Sequence, residues 1–225
     1  MEDLQLREQE IFNFLDDIKE FDIVVIGGYA VNVYTLPRFS VDCDIVVHDK
    51  TESEKIGKKL VGLGYSKKDN DHESYTGNFA RYEKTIKNNF KVSFDILIGE
   101  VFDRDTKAKF SADWIFSNSS FKPMRGKTVL KQIKMRVINI DALIAMKIAS
   151  CRSTDIRDVF MLFPYTSKKS WIKEQIQERC NFNERFSIVK VNVGSEKFRN
   201  DLQGAYGYVN DKVFQKHKDA ILTFS

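Results

Sequence analysis

The segment Val41-Asp42-Cys43-Asp44-Ile45-Val46-Val47 limits the fold more than any other part of the chain. As a β-strand it sends Val41, Cys43, Ile45 and Val47 to one face and Asp42, Asp44, Val46 and His48 to the other. The first face is wholly apolar, so the strand belongs in a sheet packed on that side. The second face holds two carboxylates close together, and their mutual repulsion calls for a cation. Residues 91–98 repeat the arrangement: Val92, Phe94, Ile96 and Ile98 are apolar, while Lys91, Ser93, Asp95 and Leu97 share the other face. If the two strands are neighbours, their spacing of ~4.8 Å brings Asp95 to the same metal or pair of metals. Taken singly, each aspartate also fits a solvent-facing acid on a half-exposed sheet. The D-x-D with an all-apolar reverse face favours the site.

Around these strands the chain alternates in period. Leu6, Ile11, Leu15 and Ile18 recur at helical spacing and predict a helix ending before Asp22. Ile23–Ile26 reads as a short buried strand broken by Gly27-Gly28, and residues 30–36 as a helix stopped by Pro37. A further helix is expected over Thr51–Gly64, capped by Thr51 or Ser53. Strand character returns at Phe79–Tyr82 and over 91–99. The stretch 103–127, rich in Asp, Lys, Ser and Asn, reads as loop with one strand at most and marks the candidate boundary. Beyond a strand at 133–138 the chain turns helical, with Asn139 as a cap, a helix ending at Pro164, another over 167–180, and one or two in the tail. This is an α/β or α+β layer, not a bundle or sandwich. The expected division is a first domain over 1–112 and a mainly helical region over 113–225.

With 42% hydrophobic and 12% aromatic residues, the 225-residue chain can bury a core and lacks the bias of a disordered one. No apolar run approaches the ~20 residues of a membrane span, and the charged start does not resemble a secretory signal, so a cytoplasmic protein without a membrane partner is expected. Cys43, Cys151 and Cys180 form no close pair; they are read as buried small hydrophobes, not a disulfide framework or thiolate zinc site. A net charge of +4 is compatible with a phosphate-bearing partner but far below that of a nucleic-acid coat. His72 and His217 lie in polar segments without metal spacing, and His48 reads as a strand-end surface histidine.

Gly27-Gly28 closes a strand and opens a helix, where backbone approaches a phosphate closely and the helix end favours an anion. The spacing is not that of a P-loop or a dinucleotide-binding turn. The whole block VIGGYAVNVYTLPRFSVDCDIVV, with its glycine pair, Arg38, Ser40 and D-x-D, resembles the polymerase-beta-type nucleotidyltransferase superfamily. The likeness is greatest to its minimal and abortive-infection (AbiEii-type) toxin members and its aminoglycoside-modifying members. NIDALIAMKIASCRSTDIRDVFML resembles the downstream helix of that family, with a lysine followed by Arg-x-x-Asp-x-x-Asp. Many relatives carry Gly-Ser where this chain has Gly27-Gly28, which removes a hydroxyl contact to phosphate but not the backbone one.

The resemblance implies a mixed β-sheet flanked by helices and an enzyme that moves NMP from an NTP, ATP among them, to an acceptor hydroxyl, with release of pyrophosphate. It implies Asp42, Asp44 and Asp95 as catalytic and metal-binding acids for two Mg²⁺ ions, with Mn²⁺ as a substitute. It implies Gly27, Gly28, Arg38, Ser40, Lys147 and Arg152 as nucleotide-binding residues. Spacing alone leaves Lys147, flanked by apolar residues, either snorkelling out or facing a site that needs positive charge. Asp155 and Asp158 are expected to tie helices together. The acceptor is read first as RNA, such as tRNA, because Lys107, Lys109, Lys122, Arg125, Lys127, Lys131, Lys134 and Arg136 interleave with Phe110, Trp114, Phe116 and Phe121; a solvated loop accounts for the same residues. The alternatives are transfer to an aminoglycoside-like small molecule, and a catalytically silent binding module of a toxin–antitoxin pair with an antitoxin protein as partner.

Overall fold

The structure, a computed structural model, describes residues 2–68 and 78–224. In chain order the elements are α1 (Glu2–Asp17), β1 (Val24–Val25), α2 (Gly27–Val31), β2 (Asp42–Val47), α3 (Lys50–Gly62), β3 (Ser66–Lys68), β4 (Phe79–Thr85), β5 (Lys91–Ile98), β6 (Glu100–Phe102), β7 (Lys109–Ser111), α4 (Ala112–Ser117), β8 (Ser119–Met124), β9 (Ile133–Ile138), α5 (Ile140–Ser150), α6 (Ser153–Leu162), α7 (Lys169–Gln177), α8 (Phe182–Gly194), α9 (Phe198–Tyr206) and α10 (Asp211–Leu222). They fall into two compact units: residues 1–33, 37–101 and 110–138, and residues 34–36, 102–109 and 139–225.

The first unit is built on a mixed seven-stranded sheet in the order β3-β4-β5-β2-β1-β9-β8. β2 runs parallel to β5 and antiparallel to β1, and β1 runs parallel to β9. Cys43, Ile45, Phe94 and Ile96, from the two predicted apolar faces, are fully buried. α1 packs on this face through Phe14, whose ring lies 4.5 Å from that of Phe94, and α3 packs there through Gly57, where a Cβ would fall 2.1 Å from the Tyr82 hydroxyl. Val41 departs from the pattern: it precedes the strand and is 62% exposed.

Several boundaries differ from the sequence expectation. β1 is only two residues long because the chain turns into α2 at the glycine pair itself. The helix expected over 30–36 ends at Val31, since the buried Asn32 side chain donates to the Arg38 carbonyl and accepts from its N–H, closing residues 32–38 into a loop. The cap of α3 is Asp49, which accepts from the Glu52 N–H at 3.0 Å, and not Thr51 or Ser53. Residues 103–127 are not mainly loop: they hold the second strand of the β6–β7 ribbon, α4 capped by Ser111, and the edge strand β8. Pro123 sits in that edge strand, where a missing donor costs no ladder bond on the open side.

The second unit is helical. α5 is almost wholly buried, with Asn139 at its N-cap position without a side-chain cap. His217 is buried in α10 and its Nδ1 lies 2.9 Å from the Phe160 carbonyl, so the polar placement expected from its segment does not hold. Cys43 is buried as expected, whereas Cys151 and Cys180 are half-buried, and all three are free thiols. His72 lies outside the described residues. Among the described residues no helix is long and apolar enough to cross a membrane.

Candidate active site

The register of β2 and β5 decides the site. Asp44 is paired directly with Asp95, and Asp42 with Ser93, on parallel neighbouring strands. Since the pairing keeps faces aligned, all three carboxylates project from the side of the sheet opposite α1 and α3. Two apolar faces packed against the same helices thus force the acids together.

Next to them, the β1–α2 turn lies against Asp44. The Ile26 N–H donates to the Asp44 carbonyl at 3.0 Å. Gly27 has φ +62, and a Cβ there would sit 1.9 Å from Asp44 Oδ2. Glycine is required twice over, for the left-handed backbone and for the close carboxylate. A Cβ at Gly28 would meet Ser40 Oγ at 2.4 Å and an Arg38 guanidinium nitrogen at 3.2 Å. Gly27, Gly28, Arg38, Ser40, Asp42, Asp44 and Asp95 are therefore all drawn to one end of β1 and β2 and the adjoining part of β5.

Asp95 is the strained member. Its side chain is 11% exposed, Arg81 lies 3.5 Å from Oδ2, and Oδ1 is buried with no hydrogen-bond partner. Burial raises its carboxyl from 3.8 to about 6; Arg81 opposes the rise, and Asp42 and Glu83 add to it. Arg81 also reaches Glu83 at 3.2 Å and Ser93 Oγ at 3.3 Å. Sequence reasoning does not single out Arg81, because only the register of β4 with β5 sets it opposite Asp95.

An orphaned buried carboxylate oxygen costs about 1–3 kcal/mol, and a divalent cation is one ligand that would satisfy it. Among the described residues no group of three or more His, Cys, Asp or Glu is arranged to hold a metal ion by itself. A cation at these acids would need further oxygens from its substrate, as Mg²⁺ sites with phosphates have.

The other expected residues lie in the second unit. Lys147 is buried and its ammonium donates to Asp155 at 2.9 Å and approaches Asp158 at 2.7 Å. Burial alone lowers a lysine pKa, but Asp158 and Asp155 outweigh it and hold this one above the usual range. Asp155 also accepts from Ser150 and from the Arg152 N–H, and Asp158 from the Tyr206 hydroxyl at 2.6 Å, so the two acids do tie α5, α6 and α9 together. The Arg152 side chain is 66% exposed, 3.6 Å from Asp103.

The basic and aromatic residues expected to hold RNA are divided between the two units. Phe110 is buried, and Lys107 and Lys109 lie over Phe102 in the second unit. In the first unit Arg136 stacks over Phe116 and Phe121, Lys127 over Phe39, and Lys131 pairs with Asp16. His48 stacks on Phe116 at 3.9 Å, 3.4 Å from Asp113, and is no neighbour of the acids in register.

A mixed sheet with paired acids on adjoining parallel strands and a glycine turn against them is the arrangement that the resemblance to nucleotidyltransferases implies. Residues 12–219 match the family described as nucleotidyl transferase AbiEii toxin, type IV toxin–antitoxin system, and the chain belongs to that family. Among solved structures, JHP933 from Helicobacter pylori is similar with a TM-score of 0.51 and 17% identity, over 98% of this chain and 91% of that one. A second H. pylori protein, described as a candidate nucleotidyltransferase, is similar with a TM-score of 0.54 and 16% identity, over 98% and 94%. At these identities the likeness is one of fold. No protein of curated function matches the chain.

Proposed function

We propose that this nucleotidyltransferase is metal-dependent and transfers NMP from an NTP to a hydroxyl of RNA, with tRNA as the acceptor class. The observation that carries the metal part is the in-register Asp44–Asp95 pair beside the Gly27 turn, with a buried carboxylate oxygen left unsatisfied. Asp42, Asp44 and Asp95 would hold the ions, two Mg²⁺ with Mn²⁺ as a substitute. When bound, such ions neutralise the triphosphate and lower the pKa of the acceptor hydroxyl.

The chain's own residues do the rest by positioning. The turn at Gly27-Gly28 adds no side chain of its own where the phosphates would lie, and Arg38, held by Asn32 through its backbone, sets a guanidinium beside Gly28. Ser40, buried against the same turn, fixes its shape. Asp95 faces the acceptor side and takes the hydroxyl proton. Lys147 has its charge engaged by Asp155 and Asp158, so the phosphate contact implied for it is not part of this reading. Arg152 remains the second unit's candidate for an anion. The family supports an antitoxin protein as a partner.

The test is incubation of the purified protein with Mg²⁺, each α-labelled NTP in turn, and either total tRNA or an aminoglycoside panel, with Asp42→Ala/Asp44→Ala alongside. Label passing to tRNA in the wild type only is the expected result. Label passing to the aminoglycosides instead, or persisting in the double variant, would overturn the acceptor or the metal assignment respectively.

A further inference from the structure

The acid-bearing face of the sheet continues outward as a row of cations. In register, Asp44 of β2 lies opposite Asp95 of β5, Asp95 opposite Arg81 of β4, and Arg81 opposite Lys68 of β3. The neighbouring row runs Asp42, Ser93, Glu83, Ser66. Lys91, two residues before Ser93 on β5, shares that face and reaches Glu83 at 3.3 Å, while Lys68 lies 4.0 Å from the same carboxylate. Glu83 is thus ringed by Lys68, Arg81 and Lys91. Burial works against its ionisation, but Lys91 and Arg81 outweigh that and hold its pKa below the usual range. Two carboxylates, Glu83 and Asp95, stand among these three cations and leave one positive charge over, and the two lysine side chains are 49% and 63% exposed.

The direction of the row matters. The Gly27 turn abuts Asp44 from the β1 side, whereas Asp95, Arg81 and Lys68 lie on the opposite side, toward β3. An in-line displacement sets the attacking oxygen and the leaving pyrophosphate on opposite sides of the phosphorus. With the triphosphate at the glycine turn, the acceptor must approach over β5 and β4.

We propose that Lys68, Arg81 and Lys91 form the docking strip for the phosphate backbone of the acceptor RNA, aligning its terminal hydroxyl with Asp95. The strip rests on the reading of RNA as acceptor and assigns where that acceptor lies. Lys68 stands three strands from Asp44, about 14 Å at the spacing of a sheet, so it meets the backbone behind the reacting nucleotide. Glu83 holds the three cations in one place before the RNA arrives, and Ser93 anchors the guanidinium from the site side.

The experiment measures binding of fluorescently labelled total tRNA across a salt series for the wild type, for Lys68→Ala/Lys91→Ala, and for Lys55→Ala/Lys58→Ala. The last removes the same charge from α3, on the other face of the sheet. Arg81 stays in place because its loss would also disturb Asp95. The strip variant is expected to bind tRNA roughly tenfold more weakly and to lower the slope of log K against log salt by about 1.4. Its rise in melting temperature with NTP and Mg²⁺ should match the wild type, which shows that the fold and nucleotide site are intact. Equal losses in both double variants, or no loss in the strip variant, would overturn the strip while leaving the RNA reading standing. Wild-type protein that neither binds nor labels tRNA would overturn the RNA reading itself, and the strip with it.

Discussion

Asp95→Asn should make the metal-free protein more stable at alkaline pH and useless as a metal site. The carboxyl is carried from 3.8 to about 6, chiefly by burial, so ionisation is disfavoured in the fold by about 3 kcal/mol at pH 8. Between pH 4 and pH 6 the folded chain keeps a proton that the unfolded chain releases. Wild-type stability therefore falls as pH rises through that window and levels off above it. Asparagine has the shape of the protonated acid and carries no such cost. In urea titrations with EDTA, the variant is expected to exceed the wild type by about 2–3 kcal/mol at pH 8 and to match it at pH 4. With Mg²⁺ and NTP at about a hundred times their dissociation constant, the wild type should regain about 2.7 kcal/mol and the variant far less. An Asn variant no more stable than wild type at pH 8, or favoured equally at both pH values, would refute the argument that burial strains Asp95.

Three further outcomes follow from the same geometry. Gly27→Ala adds a Cβ at positive φ into Asp44 Oδ2, so it should cost about 1–2 kcal/mol in urea and abolish the melting-temperature rise with NTP and Mg²⁺; a wild-type rise would mean that Asp44 is not held under the turn. Glu8 is fully buried and accepts from the N–H groups of Lys127, Thr128 and Val129 and from the Thr128 hydroxyl, so Glu8→Ala, read by chemical denaturation, should cost about 3 kcal/mol or more through the donors it strands. Lys147→Met should cost about 3–5 kcal/mol by leaving two buried carboxylates uncompensated, and adding Asp155→Asn and Asp158→Asn should recover much of it in thermal denaturation; no loss in the single variant would contradict the ion-pair account.

The local alternation of residues 41–47 and 91–98 determines by itself that two strands have apolar undersides and acidic tops, because side chains on a strand alternate whatever the neighbours are. It determines equally that a glycine pair follows β1 and opens a helix. Other local features are ambiguous for local reasons. In α8, the run Ile188-Val189-Lys190-Val191-Asn192-Val193 alternates like a strand, and only packing of Phe182, Phe186, Val189 and Val193 in the helical unit makes it a helix. α4 and β8 are too short for a period to declare itself. What tertiary structure alone decided is adjacency. Lys147 sits among apolar residues in the sequence, yet its charge is answered by Asp155 and Asp158 from the next helix. Asp95 lies fifty-odd residues from the D-x-D, and nothing local says that β5 pairs with β2, in register, with Arg81 beyond it. Pairing between distant strands depends on which apolar faces share helices α1 and α3. That is a property of the packed core, which a one-dimensional pattern does not contain.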